Sequence, residues 1–263
     1  MNQAVAAPVD VKLMNMTATV LFLAFVVLGA IATVRWVVRL PVFDVKGITV
    51  TGDVTHNNAV TLRANVAPRL TGTFFSMDLP RVRAAFEAVP WVRHAVVRRQ
   101  FPNRLQVVLQ EHQAVAYWGS DNELRLINNF GEVFEANVGE VEQDALPSLN
   151  GPEGQGAEVL AMYRAVAPLF EHMEMPVDGL ELSMGGSWRV LLDTGAAIEL
   201  GRGGVVEIAA RVRRFLATLT QVTSRYGRHA NAVESADLRH ENGYAIRLRG
   251  VSTVVAAAVV PKK

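Results

Sequence analysis

Residues 78–111 read DLPRVRAAFEAVPWVRHAVVRRQFPNRLQVVLQE, and this stretch decides the fold. Asp78 is a helix N-cap residue type, and Pro80 falls in the first turn, where its missing N–H removes a donor that had no partner anyway. Leu79, Val82, Phe86 and Val89 then recur at helical spacing, with Arg81, Arg83 and Glu87 facing outward, until Pro90 stops the helix. Beyond Pro90 the period drops to two. Val92–Gln100 and Arg104–Glu111 read as strands around the turn Phe101-Pro102-Asn103, and Leu105, Val107 and Leu109 alternate with Gln106 and Gln110 as in a half-buried antiparallel strand.

Working upstream, Phe43, Val45, Ile48 and Val50 form a β-rich run that ends at the turn pair Gly52-Asp53. Residues 57–67 carry a weaker helical pattern, with Val60, Ala64 and Ala67 on the expected inner face and Pro68 just past the end. The unit over residues 42–112 is therefore β-α-α-β-β, enough elements for a small two-layer domain.

Residues 13–34, LMNMTATVLFLAFVVLGAIATV, contain no charge. Such a helix spans roughly 33 Å, about the thickness of a bilayer's hydrocarbon core. A buried core helix of this length would carry a polar stripe, and none is present. Trp36, Arg35 and Arg39 are interfacial anchor types, so residues 13–38 are expected to cross the membrane behind a short tail, 1–12. Ala30-Ile31-Ala32 has the small-x-small form of a signal-peptidase site; against cleavage stand the length of the run and Lys12 as the basic side chain before it. Arg35, Arg39 and Lys46 follow the span, but flanking charge is a weak guide when a long domain follows, so the residues alone leave orientation open.

Downstream of Gln113 the texture changes to short strands and glycine turns around two helices. Ala114–Trp118, 124–128 and 133–135 read as a meander, and 151–156 as a loop. Val159, Tyr163, Val166, Phe170 and Met173 trace one helical face; Ile208, Val212, Phe215, Leu216, Leu219 and Val222 trace a second, with Arg211, Arg213, Arg214 and Arg225 outward. Strands are expected at 180–183, 188–192, 197–200, 235–239 and 244–248, the last two around Glu241-Asn242-Gly243. The fold class is α+β: a membrane helix, the β-α-α-β-β domain, a mixed β domain with two helices over 113–250, and a tail, 251–263.

The composition narrows the chemistry. Cysteine is absent, which removes disulfides, thiolate metal sites and thiol nucleophiles. A net charge of +1 gives no reason to expect nucleic acid. The six histidines lie far apart without metal-ligand spacing, and no GxxxxGK[ST] loop occurs, so no cofactor or metal is expected. Gly201-Arg202-Gly203-Gly204 reads as a strand-to-helix turn rather than an anion site, and Ser187 lacks the flanks of a nucleophile elbow. Glu111-His112 and His240-Glu241 are neighbours on strands and point to opposite faces, which makes them poor catalytic pairs. Arg93, Arg98, Arg99 and Arg104 read as a solvated strand surface, with an acidic-partner face as the alternative, and Trp91 as a buried anchor.

Phe74-Phe75, Asp78-Leu79, Pro90-Trp91-Val92, Val97-Arg98-Arg99, Pro102-Asn103, Glu111-His112, Gly131-Glu132-Val133-Phe134, Leu200-Gly201-Arg202, Arg214-Phe215 and Asp237-Leu238-Arg239 follow in an order that resembles the FtsQ/DivIB family of cell-division proteins. The resemblance covers about 42–248. It implies a non-enzymatic, single-span (type II) protein of the cell inner membrane with a cytoplasmic N-terminus, a POTRA domain over 42–112 and a periplasmic C-terminal β domain at the division septum. It also implies binding to FtsB and FtsL, through them to FtsW and FtsI, and to upstream division proteins through the POTRA domain.

In this family a partner segment adds to a sheet edge near the end of the β domain, which maps here to Asp237, Leu238, Arg239, His240, Tyr244, Ile246, Arg247 and Leu248. Many members carry an aromatic where this chain has His240, and Tyr244 stands across the turn. Replacing Leu248 or Tyr244 by Lys is expected to weaken partner binding without unfolding the domain. The competing readings are a POTRA protein of an envelope transport system and a membrane-anchored periplasmic hydrolase.

Overall fold

The apolar run lies within one helix, α1 (Val9–Val38), in a computed structural model that describes residues 9–119, 125–141, 146–240 and 243–251. The helix reaches back at least to Val9, the first described residue, and so includes residues ahead of the uncharged run. Asp10 and Lys12 end the uncharged stretch but do not break a helix, and Asp10 suits the positive end of the helix dipole. It stops where Leu40 precedes Pro41, a position that disfavours helical backbone. None of its residues is buried, and it is long and apolar enough to cross a membrane. Residues 1–8, most of the expected tail, and 252–263 lie outside the described residues, as do Glu241 and Asn242 of the last turn.

The described chain divides after Glu111 into two units. Beyond α1, the first unit holds β1 (Gly47–Gly52), α2 (Ala59–Val66), α3 (Leu79–Glu87), β2 (Val92–Gln100) and β3 (Arg104–Glu111). The sheet order is β1-β3-β2, with β1 parallel and β2 antiparallel to the central strand. Asp78 caps α3 through the Arg81 N–H at 3.3 Å, and Val82, Ala85 and Phe86 are buried on the face the period marked.

Helix α2 corrects the expectation. Val60 is 77% exposed, and Leu62 and Val66 enter the core instead. Burying a large aliphatic side chain is worth roughly 1.5–3 kcal/mol, so one Leu/Val pair four residues apart outweighs a face built of alanines. Trp91 is buried at positive φ and stacks on His56 with ring centroids 3.8 Å apart. Arg99 belongs to the scaffold: it donates to the carbonyls of Phe74 and Met77, each at 2.6 Å.

Glu111 ties down the loop ahead of α2, whose N-cap is Asn58. Its carboxylate accepts the backbone N–H groups of Thr55, His56 and Asn57 at 2.9–3.0 Å, just before α2. Burial pushes its pKa up, but the bonds from His56 and Asn57 outweigh burial and hold it below the ordinary carboxylate range.

The second unit is built on a nine-stranded sheet in the order β12-β11-β10-β9-β8-β7-β4-β5-β6. Its strands are β4 (Ala114–Trp118), β5 (Arg125–Asn128), β6 (Val133–Phe134), β7 (Ser148–Asn150), β8 (Val177–Leu182), β9 (Ser187–Leu192), β10 (Ala197–Arg202), β11 (Val233–Asp237) and β12 (Ala245–Leu248). Leu124, given to the second of these in the sequence reading, lies outside the described residues. Two helices, α4 (Gly156–Glu171) and α5 (Val205–Ser224), touch each other and pack on β7–β8 and on β10, respectively. Strand β7 has no counterpart among the strands the sequence pattern predicts. It joins β4 to β8 through parallel pairing on both sides, but only Leu149 of its three residues is apolar, too few to show a period.

Candidate protein-binding edge

Strand β11 lies parallel to β10, and β12 returns antiparallel to β11, pairing Asp237 with Ala245, Ala236 with Ile246 and Ser235 with Arg247. In the strand order β12 is terminal, so among the described residues its outer edge is unpaired. Its burial alternates from exposed Ala245 and Arg247 to half-buried Ile246 and buried Leu248. The strand is pinned at its far end: the Arg249 N–H donates to the Ala232 carbonyl at 2.8 Å, the Arg249 guanidinium reaches the Thr194 carbonyl, and Arg228 bonds the Gly250 carbonyl at 3.2 Å.

Strand β11 ends two residues earlier than the sequence suggested. Asp237 Oδ1 accepts the Arg239 N–H at 3.0 Å, a local turn that takes Arg239 and His240 out of the strand. The same carboxylate grips the Arg239 guanidinium at 2.6–3.1 Å. That bond from Arg239 lowers the Asp237 pKa to about 2. Leu238 turns inward, 2% exposed, while its N–H continues the ladder to the Glu199 carbonyl at 2.8 Å.

Helix α5 completes the site. Tyr244 packs edge-on against Phe215 with ring centroids 4.9 Å apart, and its hydroxyl lies 2.9 Å from Thr218 Oγ1. A cavity of about 390 Å³ opens beside the edge, lined by Arg211, Arg214, Phe215, Thr218, His240 and Tyr244 among others. Arg211 is held by the Leu200 and Arg202 carbonyls and by Glu207. Gly201 sits at the bulge in β10 with φ +82, and a Cβ there would lie 2.9 Å from Arg239 Cγ and 3.2 Å from Arg211 Nη1. Only glycine combines that backbone with that close approach.

Of the eight residues expected at the site, Arg239, His240, Tyr244, Ile246 and Arg247 keep exposed or half-exposed side chains, Asp237 is committed to Arg239, and Leu238 and Leu248 lie in the core. The expectation that Leu248→Lys spares the fold is therefore corrected: a charge at a side chain 6% exposed would disrupt the core beneath β12. Arg211, Phe215 and Thr218 were missed as site residues. Arg211 and Thr218 lie on the polar flank of the α5 stripe, which reads as solvated surface until the last hairpin is folded over it, whereas Phe215 belongs to the apolar stripe itself and reads as core.

The sequence comparisons agree with this architecture. The family model described as the POTRA domain, FtsQ-type, matches residues 43–112, and that described as cell division protein FtsQ/DivIB, C-terminal, matches 116–239. The chain belongs to the FtsQ/DivIB family of cell-division proteins. It is 40% identical to a cell division protein FtsQ of Burkholderia pseudomallei over 92% of this chain and 94% of that protein. Similar proteins of the same name from Thiomonas arsenitoxydans and Bordetella pertussis are each 36% identical, over 93% and 91% of this chain and 89% and 92% of theirs. The C-terminal family match stops at Arg239, so β12 and Tyr244 lie just past it.

Proposed function

We propose that this protein is a membrane-anchored, non-catalytic scaffold of the division septum that binds FtsB and FtsL by accepting a partner strand on β12. The carrying observation is the position of β12 at the end of the sheet with its outer edge unpaired among the described residues. Strand addition draws its attraction from backbone hydrogen bonds, which any chain can make, and its selectivity from the side chains alongside. Exposed Arg247 and the cavity bordered by Arg211, Arg214 and Tyr244 supply the latter. An N-terminal helix with no buried residue supports anchoring, and the family supports placement of the two folded units on the periplasmic side.

Co-purification of the full-length protein with the periplasmic segments of FtsB and FtsL tests this reading. Tyr244→Lys is expected to weaken capture, whereas Met184→Lys, at a side chain 90% exposed in the same unit, is expected to leave it intact. Equal capture by both variants would remove the edge as the binding site. A fluorescent fusion is expected to form a ring at midcell, and a uniform envelope signal would count against the septal role.

A further inference from the structure

Three separate chain segments meet where α1 leaves the first unit. The last carbonyl of the helix is held by the 73–75 loop: Val38 O accepts the Thr73 hydroxyl at 2.7 Å. Phe74 donates its N–H to the Phe43 carbonyl at 2.7 Å, and the Phe43 and Phe75 rings meet edge-on with centroids 5.1 Å apart. Lys46 donates to the Asn103 carbonyl at 3.0 Å, which brings the β2–β3 hairpin to the same end, and the Arg104 side chain lies against Gly47. The helix exit, the 73–75 loop and the 101–103 turn thus share one end of the domain.

That end has an unusual surface. Phe75 and Phe101 are the large aromatic side chains that the described residues between 41 and 111 leave exposed, at 48% and 80%, and both lie here with Val42 at 65%. Arg39, Lys46 and Arg104 are exposed around them, against Asp44 as the acid of the same segment. Exposed aromatics ringed by basic residues are the composition of a membrane-interface surface, where rings settle at headgroup depth and cations meet lipid phosphates.

The helix dimensions agree. Residues 13–34 match the hydrocarbon core, and the remaining turn to Val38 rises roughly 6 Å, about one headgroup layer. Residues just past the helix therefore emerge at the lipid surface, where the Thr73 bond ties the 73–75 loop to the helix end.

We propose that this end of the first unit, through Val42, Phe75 and Phe101 with Arg39, Lys46 and Arg104, rests on an anionic phospholipid headgroup layer and fixes the tilt of the domain on the membrane. The inference rests on the anchoring role assigned to α1. It gives the exposed hairpin tip a lipid partner and leaves the β12 edge free for protein.

The absence of cysteine permits single-site labelling of the full-length protein in nanodiscs of phosphatidylethanolamine and phosphatidylglycerol. An environment-sensitive dye is placed at Phe101→Cys, Phe75→Cys, Val54→Cys or Leu21→Cys, with quenchers carried at headgroup or mid-chain depth. Val54 is 45% exposed and lies beyond the far end of β1, roughly 17 Å of strand from the helix exit.

The expected result is headgroup quenching at 75 and 101, none at 54, and mid-chain quenching at 21. Quenching at 21 with positions 75 and 101 as unquenched as 54 would overturn the proposal. Loss of quenching at 21 would instead overturn the anchoring itself and the proposal with it. Quenching at 54 equal to that at 101 would also refute it, since the domain would then lie flat. The pair Lys46→Glu and Arg104→Glu is expected to lower headgroup association by about fivefold per residue in anionic nanodiscs and to leave position 21 unchanged. Association independent of this charge reversal would overturn the assignment of anionic headgroups.

Discussion

The sheet of the first unit ends in β1 and β2 and that of the second in β12 and β6, and the edges of β2 and β12 are treated differently. In the first unit, β2 is terminal, but Glu87 at the end of α3 reaches across and accepts the Ala95 N–H at 3.2 Å. The same carboxylate holds Arg83 at 2.8 Å and His94 at 2.9 Å, and Arg99 further along β2 folds onto the 74–77 loop. In the second unit, no side chain among the described residues bonds the backbone of Ala245–Leu248. Unprotected edges template unwanted pairing, and proteins blunt them with charges and covering groups unless a partner is meant to dock. By that standard β2 is a guarded edge and β12 an available one. Strand β6, at the opposite end of the larger sheet, needs no guard because it is two residues long.

The contrast is broken most sharply by proline. Ile246→Pro removes a backbone donor from β12 and is expected to reduce binding of the FtsB and FtsL segments by at least about tenfold, or ~1.4 kcal/mol, in a titration. Val97→Pro in β2 is expected to lower stability while binding per folded molecule stays near wild type. Equal binding losses would erase the distinction between the edges.

Next in size is Leu248→Lys, which buries an unpaired charge. It is expected to destabilise the second unit by about 3 kcal/mol or more, read as a lower denaturation midpoint of that unit. Intact stability with lost binding would return Leu248 to the contact surface.

Glu87→Ala sharpens the comparison from the guarded side. Freeing the Ala95 N–H is expected to cost about 1 kcal/mol and to produce concentration-dependent self-association in sedimentation velocity, absent in wild type. A monodisperse variant would mean that Glu87 is not what protects β2.

The smallest effect belongs to the Asp237–Arg239 clasp. Because the folded-state pKa is lowered from 3.8 to about 2, its contribution is fully present above about pH 5 and is lost as pH falls through 2. With the Arg239 side chain 59% exposed, solvent screening is expected to keep that contribution small. Asp237→Asn should therefore reduce stability slightly at neutral pH and match wild type near pH 1, below both pKa values. A difference that persists at pH 1 would show a role other than charge pairing.

What the sequence displays and what it conceals follow from the length of each element. Helix α3 and strands β2 and β3 are long enough for their periods to be unambiguous, and Pro80 and Pro90 bound the helix. In α2 a weak stripe misled, because Leu62 and Val66 fall outside it and yet hold the core contacts. Strand β7 has no period to read. At the binding edge, alternation identified the terminal hairpin but not which side of it is covered. Leu238 and Leu248 look like available hydrophobes along the chain, and only the packing of α5 against β10 and the last hairpin commits them to the core. The partnership of Gly201 with Arg239 and Arg211 joins positions far apart in sequence, so the resemblance marked Gly201 without its reason.

Amide hydrogen exchange of the full-length protein, with and without the FtsB and FtsL periplasmic segments, tests the central claim most directly. Slower exchange is expected, confined to Ala245–Leu248 and its immediate surroundings on α5, with β2 unchanged. Protection that appears on β2 while Ala245–Leu248 exchange at their free rate would contradict it.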